Sequence, residues 1–312
     1  MKDTILYGDC RETLCAFLPQ SARVCVTSPP YYGLRDYGGE DSQIGQEQTP
    51  EEYIDQLVNV FKEVKNVLTD DGTCWVNLGD SYYNYRPGRG QGLAKQTVSN
   101  TKQDLPDVCP RRGNKLEGLK EKDLIGIPWM FAFAMRADGW YLRQDIIWNK
   151  PNPMPESVRD RCTKAHEYIF LFSKNKKYFY DNEAIKEPAK DWGTRDRTNG
   201  KYHNEGSGLA PHSGLTKSYS TKNKRSVWSV TKKPYKGAHF AVFPPDLIEP
   251  CILAGSEKGD IVLDPFMGSG TTAMVAKKLG RHYLGCELHE NYGNLIEERV
   301  LPYENRLEKF FK

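Results

Sequence analysis

Apolar residues along the chain follow two rhythms. The first is a set of short apolar or alternating runs, at 23–27, 73–78, 141–148, 167–173, 261–263 and 281–288. Runs of that length, bounded by Gly, Pro, Asp or Ser, predict strands. The second is a helical spacing, clearest in Tyr53, Ile54, Leu57, Val60, Phe61, Val64, Val67 and Leu68. Just ahead of it, Thr49-Pro50-Glu51-Glu52 has the spacing of a capping box with Pro at the first helical position. Asp71-Gly72 is expected to close that helix. Shorter helices are predicted at 128–136, from Asp246 onward, and at 271–279, with a polar helical tail after the last strand. Strands that alternate with helices predict a parallel sheet covered by helices. No internal repeat is present.

Two segments break both rhythms. Residues 81–122 and 186–236 are rich in Gly, Ser, Asn, Lys and Arg and show no apolar period. Loops of this length are uncommon without a functional reason. The first carries nine Lys/Arg against four Asp/Glu, and the second twelve against four. The whole chain is only +3, so the remainder is acidic. Charge gathered in this way suits a polyanion, although solvated loops would look the same. The chain has 312 residues, 38% of them hydrophobic, enough for a sizeable core. No apolar run approaches the roughly 20 residues of a membrane span, and the start lacks a signal stretch, so no membrane partner is expected and the cytoplasm of a bacterial or phage-infected cell is. Eight scattered cysteines form no C-x-x-C pair, and no metal site is expected.

Candidate chemistry sits in two turns. Near the C-terminal end, Ile261-Val262-Leu263-Asp264-Pro265-Phe266-Met267-Gly268-Ser269-Gly270-Thr271-Thr272-Ala273 reads as strand, tight turn and helix start. Glycines let a ligand approach the backbone, and a helix N-terminus offers free N–H groups. Gly268-x-Gly270-x-x-Ala273 fits a dinucleotide fingerprint, with Glu287 at the end of the next strand placed for a ribose. A dinucleotide-dependent oxidoreductase therefore stays open. Asp264, at the strand end, would repel a pyrophosphate but welcome a ligand bearing an ammonium and a sulfonium. A P-loop is excluded, since no Lys follows the last Gly.

The other turn is Thr27-Ser28-Pro29-Pro30-Tyr31, directly after a buried strand. Two prolines have no N–H, so this backbone presents carbonyl oxygens, and Ser28 adds a hydroxyl. Rigid acceptors of this kind can hold the hydrogens of an exocyclic amine and aim its lone pair at an electrophile. Tyr31 supplies a plane that can stack on a base. An ordinary Pro-Pro turn beside a core tyrosine would read the same in isolation.

Together the two turns resemble the amino-group DNA methyltransferases. Ser28-Pro29-Pro30-Tyr31 is similar to the family's catalytic motif, and Asp264 to Thr272 to its cofactor motif. Their order, catalytic motif first and cofactor motif last, resembles the beta class, a circular permutation of the common methyltransferase sheet. Tyr7-Gly8-Asp9-Cys10 resembles an element whose Asp lies near the adenosine, and His239-Phe240-Ala241-Val242-Phe243-Pro244 one that cradles the methionine end. The 147–153 and 166–168 segments also resemble blocks of the class. The resemblance implies a mixed, mostly parallel seven-stranded sheet with helices on both faces, an α/β fold carrying inserted basic target-recognition segments. One catalytic domain would then be assembled from 1–80, 123–185 and 237–312.

It further implies S-adenosyl-L-methionine as cofactor and double-stranded DNA as substrate. Ser28, Pro29, Pro30 and Tyr31 would be catalytic. Asp9, Cys10, Phe240, Asp264, Pro265, Phe266, Gly268, Gly270, Thr271 and Glu287 would bind the cofactor. Lys222, Lys224, Arg225, Lys232 and Lys233 are candidates for phosphate contacts. Aromatics of the basic segments, among them Tyr82, Tyr83 and Trp228, could stack on DNA. Ser in the first motif position favours cytosine N4 over adenine N6, which stays open. A homodimer and a separately acting restriction endonuclease also stay open as partners. Pro250-Cys251 imitates the Pro-Cys nucleophile of cytosine C5 enzymes, but it lies in an apolar helix-like run, where a packed thiol is expected.

Overall fold

The computed structural model describes residues 1–33, 43–83, 116, 118–189, 220–232 and 243–308. Its strands are β1 (Thr4–Tyr7), β2 (Ala22–Thr27), β3 (Leu68–Leu78), β4 (Tyr141–Asn149), β5 (His166–Ser173), β6 (Glu187–Pro188), β7 (Thr221–Lys222), β8 (Val227–Ser229), β9 (Ile261–Asp264) and β10 (His282–Glu287). Its α-helices are α1 (Cys10–Thr13), α2 (Pro50–Val67), α3 (Ile127–Ala137), α4 (Pro245–Gly255), α5 (Thr271–Lys278) and α6 (Gly293–Glu308). No described helix is long and apolar enough to cross a membrane.

Eight strands form one sheet in the order β1-β10-β9-β2-β3-β5-β4-β8. Neighbours run parallel except at β3–β5 and β5–β4. The mixed, mostly parallel sheet is as expected, with one strand more than the expected seven. The addition is β8, which comes from the second basic segment and pairs with β4 from Ile147↔Val227 to Asn149↔Ser229. Trp228 drives the pairing: it is buried in the sheet's core, and its indole N–H donates to the Arg225 carbonyl at 2.7 Å. The short antiparallel β6–β7 pair belongs to the same segment.

Side chains alternate between the two faces of the sheet, as the pleat dictates. Cys25, Cys74, Val76, Phe170, Phe172 and Leu263 pack with α2 and α3 on one face. Val24, Val26, Trp75, Ile169, Leu171 and Val262 pack with α4, α5 and α6 on the other. The central strands are apolar on both sides because helices cover both. Cys251 lies in α4, 1% exposed, and burial holds its thiol up, so it is a packed thiol.

The helix start at Thr49 is as expected. Its hydroxyl accepts from the Glu52 amide at 3.2 Å, and the Glu52 carboxylate accepts from the Thr49 amide. The end differs. The helix stops at Val67, and Leu68 is already extended and paired with Ala22. The ladder then skips from Leu68 to Thr73. Asp71-Gly72 lies in that irregularity, where Arg23 binds the Asp71 carboxylate at 2.6 Å. A turn dipeptide marks a bend without saying which element bends.

Candidate active site

Parallel sheets of this kind bind ligands outside the carboxyl ends of their strands. β2 and β9 are neighbours, with Cys25 opposite Leu263, so Ser28-Pro29-Pro30-Tyr31 and the glycine turn leave the sheet side by side. A direct bond joins them: the Thr27 hydroxyl donates to Asp264 Oδ1 at 2.6 Å, across 237 positions of sequence. Asp264 also accepts from the Thr272 hydroxyl at 2.6 Å and the Phe266 amide at 3.0 Å. Its carboxylate is 1% exposed, and burial pushes its pKa up to about 6 although these three donors pull it down.

The turn after β9 is shaped by its glycines. Gly268 and Gly270 have positive φ, +54° and +77°. A Cβ on Gly270 would stand 2.7 Å from the Ile296 side chain of α6, so only Gly closes the turn against that helix. Glu287, at the end of β10, accepts from the Gly268 amide at 2.7 Å and the His289 amide at 3.1 Å. Burial raises its pKa. Pro265 and Thr271 are buried and Phe266 half-buried. Asp9 caps α1 and is held by Arg11, which also reaches Gln56 at 2.6 Å, and Cys10 is buried behind it. The Thr271 hydroxyl, buried at the start of α5, has no partner among the described residues. An unanswered donor beside two glycines and two carboxylates fits a small ligand carrying a cationic amino acid end and a ribose.

On the β2 side, the turn is fixed from beneath by Tyr53, whose hydroxyl donates to the Pro30 carbonyl at 2.7 Å. The Tyr31 ring abuts the end of β3: a Cβ on Gly79 would stand 2.7 Å from its Cε2. Its hydroxyl is 2.7 Å from Glu167 Oε2 and 3.2 Å from Asn77 Oδ1. Burial and the neighbouring carboxylate push the phenol well above its ordinary value, so Tyr31 keeps its proton and donates it to Glu167. Burial would raise Glu167 too, but the Lys150 ammonium beside it and the Tyr31 donor hold it below the usual glutamate value. Lys150 is 7% exposed and is pushed down to about 8 by burial against the pull of Glu167.

Glu167, Lys150 and Asn77 were not singled out from the sequence. Two of them lie in the 147–153 and 166–168 segments, which offered a resemblance but no role. The phosphate-contact candidates fall in two places. Lys222, Lys224 and Arg225 surround Glu187 at 3.9, 3.7 and 3.2 Å. Lys232 lies by Lys150, its Nζ 5.7 Å from the centre of the Trp148 ring. Lys233 and Phe240 lie outside the described residues. Trp228 and Tyr83 are interior side chains, the latter bonded by the Leu116 amide at 3.0 Å, and Tyr82 is covered by the Arg161 guanidinium. Among the described residues no cluster of His, Cys, Asp and Glu could hold a metal ion.

A permuted, mostly parallel sheet that brings a proline-rigid acceptor turn beside a glycine cofactor turn defines an amino-group methyltransferase. The known proteins agree. A sequence model described as DNA methylase, for the N6 and N4 enzymes, matches residues 22–298. The chain is 47% identical over 297 residues to the type II methyltransferase M.SmaI of Serratia marcescens, covering 95% of this chain and 90% of that one. It is 45% identical to M.Cfr9I of Citrobacter freundii, covering 95% and 87%. Among solved structures, the PvuII DNA methyltransferase (cytosine-N4-specific) superposes with a TM-score of 0.61 at 19% identity, covering 98% of this chain and 92% of that one. A DNA modification methylase of Thermus thermophilus, TTHA0409, complexed with S-adenosyl-L-methionine, does so at 0.58 and 23% identity, covering 96% and 93%. The chain belongs to the DNA methylase family: it is a site-specific, S-adenosylmethionine-dependent DNA methyltransferase of the N6/N4 type. The oxidoreductase reading of the glycine turn is thereby set aside.

Proposed function

We propose that this enzyme methylates the N4 amine of a cytosine flipped out of double-stranded DNA. S-adenosyl-L-methionine, when bound, supplies a methyl group already activated by its sulfonium, so the protein's task is positioning and lone-pair control. Ser28 and the Pro29 carbonyl hold the amine hydrogens, which keeps the nitrogen lone pair out of the ring and turned toward the methyl. Tyr31 stacks on the extruded base, because an amine within the duplex cannot be approached in line. On the other side of the crevice, Asp264 faces the methionine end, Glu287 the ribose hydroxyls, and Asp9 with Cys10 the adenosine. Gly268, Gly270 and Thr271 give backbone access, with Pro265 and Phe266 as walls.

The observation that carries this reading is the bond from Thr27 to Asp264. It joins the residue before Ser28 to the first residue of the cofactor turn, so donor and acceptor of the methyl share one crevice. Serine in the first motif position and the cytosine-N4-specific enzyme among the structural neighbours support cytosine over adenine. Lys222, Lys224, Arg225, Lys232 and Lys233 meet phosphates and set a salt-dependent affinity.

The deciding experiment is sequencing DNA from expressing cells with a method that resolves methylated bases. N4-methylcytosine at one recurring sequence is the expected result, and N6-methyladenine there would overturn the choice of base. Tyr31→Ala should abolish methyl incorporation while cofactor binding, followed by calorimetry, survives. Full activity in that variant would remove Tyr31 from the mechanism.

A further inference from the structure

We propose that Glu167 and Lys150 are positioning residues for methyl transfer: an ion pair buried behind the catalytic turn fixes the plane in which the Tyr31 ring receives the target base. The proposal rests on the reading of Tyr31 as the stacking residue. Stacking needs only a ring face, and a hydroxyl adds nothing to it. Yet the Tyr31 hydroxyl donates to Glu167 at 2.7 Å, with the Asn77 side-chain oxygen 3.2 Å away. Along one edge of the ring, Cε2 and Cδ2 lie so close to Gly79 that a Cβ there would intrude. A ring blocked on one side and tethered at its tip has a single position.

The tether is built from three strands that play no part in the glycine turn. Asn77 comes from β3, Glu167 from β5, and Lys150 directly follows β4. Antiparallel pairing sets Leu78 opposite Tyr168 and Trp148 opposite Glu167, which draws the three groups together. The Lys150 stem runs along Trp148, its Nζ 4.4 Å from the ring centre, and its ammonium meets the second Glu167 oxygen. Each partner has a reason to be there. A buried carboxylate without a cation takes up a proton and becomes a donor. Glu167 would then compete with Tyr31 as a donor. With Lys150 beside it, Glu167 stays an acceptor and the phenol has one direction in which to point. Buried ion pairs are poor devices for stability alone, so a pair maintained here calls for another purpose.

The test is a double-mutant cycle of Tyr31→Phe and Glu167→Gln, assayed on duplexes carrying the mapped recognition sequence. Each single variant should lower kcat about ten- to a hundredfold, the range expected when a reacting group is slightly misplaced. KM for S-adenosylmethionine should be unchanged in both, and the double variant should be no slower than the slower single one. A duplex with 2-aminopurine at the target position should brighten by the same amount with either variant, as the flipped base meets a ring no longer held in one plane. Additive losses in the double variant would show Glu167 acting apart from the hydroxyl and overturn the proposal. So would wild-type kcat in Tyr31→Phe, which deletes one oxygen and tests the tether even if Glu167→Gln fails to fold. Full activity in Tyr31→Ala would instead sink the stacking reading itself.

Discussion

Two carboxylates are withdrawn from water at the two sides of the crevice, and their pKa values are moved in opposite directions. Asp264 is answered by two hydroxyls and an amide, and burial lifts it to about 6. Glu167 is answered by an ammonium and a phenol and stays below the ordinary glutamate value. The difference lies in the partners rather than in depth. Hydroxyls satisfy the lone pairs of a buried carboxylate but supply no charge, while a lysine supplies one. Asp264 therefore works as a clasp between β2, β9 and α5. Glu167 has one working state, the anion, and the Tyr31 hydroxyl relies on it.

The contrast can be broken most severely at Lys150. Lys150→Met leaves Glu167 buried without its cation and should cost about 3–5 kcal/mol of stability, read as a fall in the urea midpoint. A second change, Lys150→Met with Glu167→Leu, should recover most of it; no recovery would mean that the pair's charges are not what the loss measures. On the Asp264 side, Thr272→Val deletes one donor of the clasp and should cost about 1–3 kcal/mol, with methyl transfer impaired through a weaker cofactor turn. An unchanged midpoint would show the clasp to be idle.

The two carboxylates should also part company with pH. The folded value of Asp264, about 6, lies above the unfolded value of 3.8, so its charge costs stability. That cost is fully present above pH 6 and vanishes below pH 4. Wild type should gain on Asp264→Asn as the pH falls, by about 1 kcal/mol between pH 7 and 5, measured as paired denaturation midpoints. Glu167 has the reverse sign, since its lowered pKa adds stability that is lost as the medium acidifies. On acidification wild type should therefore lose ground to Glu167→Gln, whereas it gains on Asp264→Asn. The smallest effect is at the basic patch. Glu187→Gln releases Lys222, Lys224 and Arg225 from their shared anion. Stability should move by less than about 0.5 kcal/mol, while DNA affinity rises and its salt dependence steepens. An unaltered salt slope would take that patch out of the DNA contact.

The same division governs what could be read from the chain. The turns at Ser28–Tyr31 and Asp264–Thr271 are local: their chemistry lies in consecutive residues, and the strands that carry them have plain apolar periods. The start of α2 followed from the Thr49 cap and its course from the apolar spacing. Glu167 and Lys150 are 17 positions apart at the ends of two strands, and neither has a period or a motif that assigns it work. Only the β3–β5–β4 register makes them meet. Asp71-Gly72 was legible as a bend, but the choice between helix end and strand irregularity depends on Leu68 finding Ala22 across the sheet. Trp228 and Tyr83 misled for a related reason. Aromatics in a basic stretch invite a partner outside the protein, and here the sheet core and the Leu116 amide take them.

The bond between Thr27 and Asp264 has a further consequence, for synthesis on the ribosome. β2 and β9 adjoin in the middle of the sheet, yet the two bonded residues are 237 positions apart in the order of synthesis. Until residue 264 has emerged, the nascent polypeptide carries β2 as an open edge with unmatched amides, and the turn that would seize a base has no counterpart to receive a methyl donor. Such an edge invites pairing with foreign strands. A product that stalls before residue 264 would carry the base-holding turn without the cofactor turn beside it.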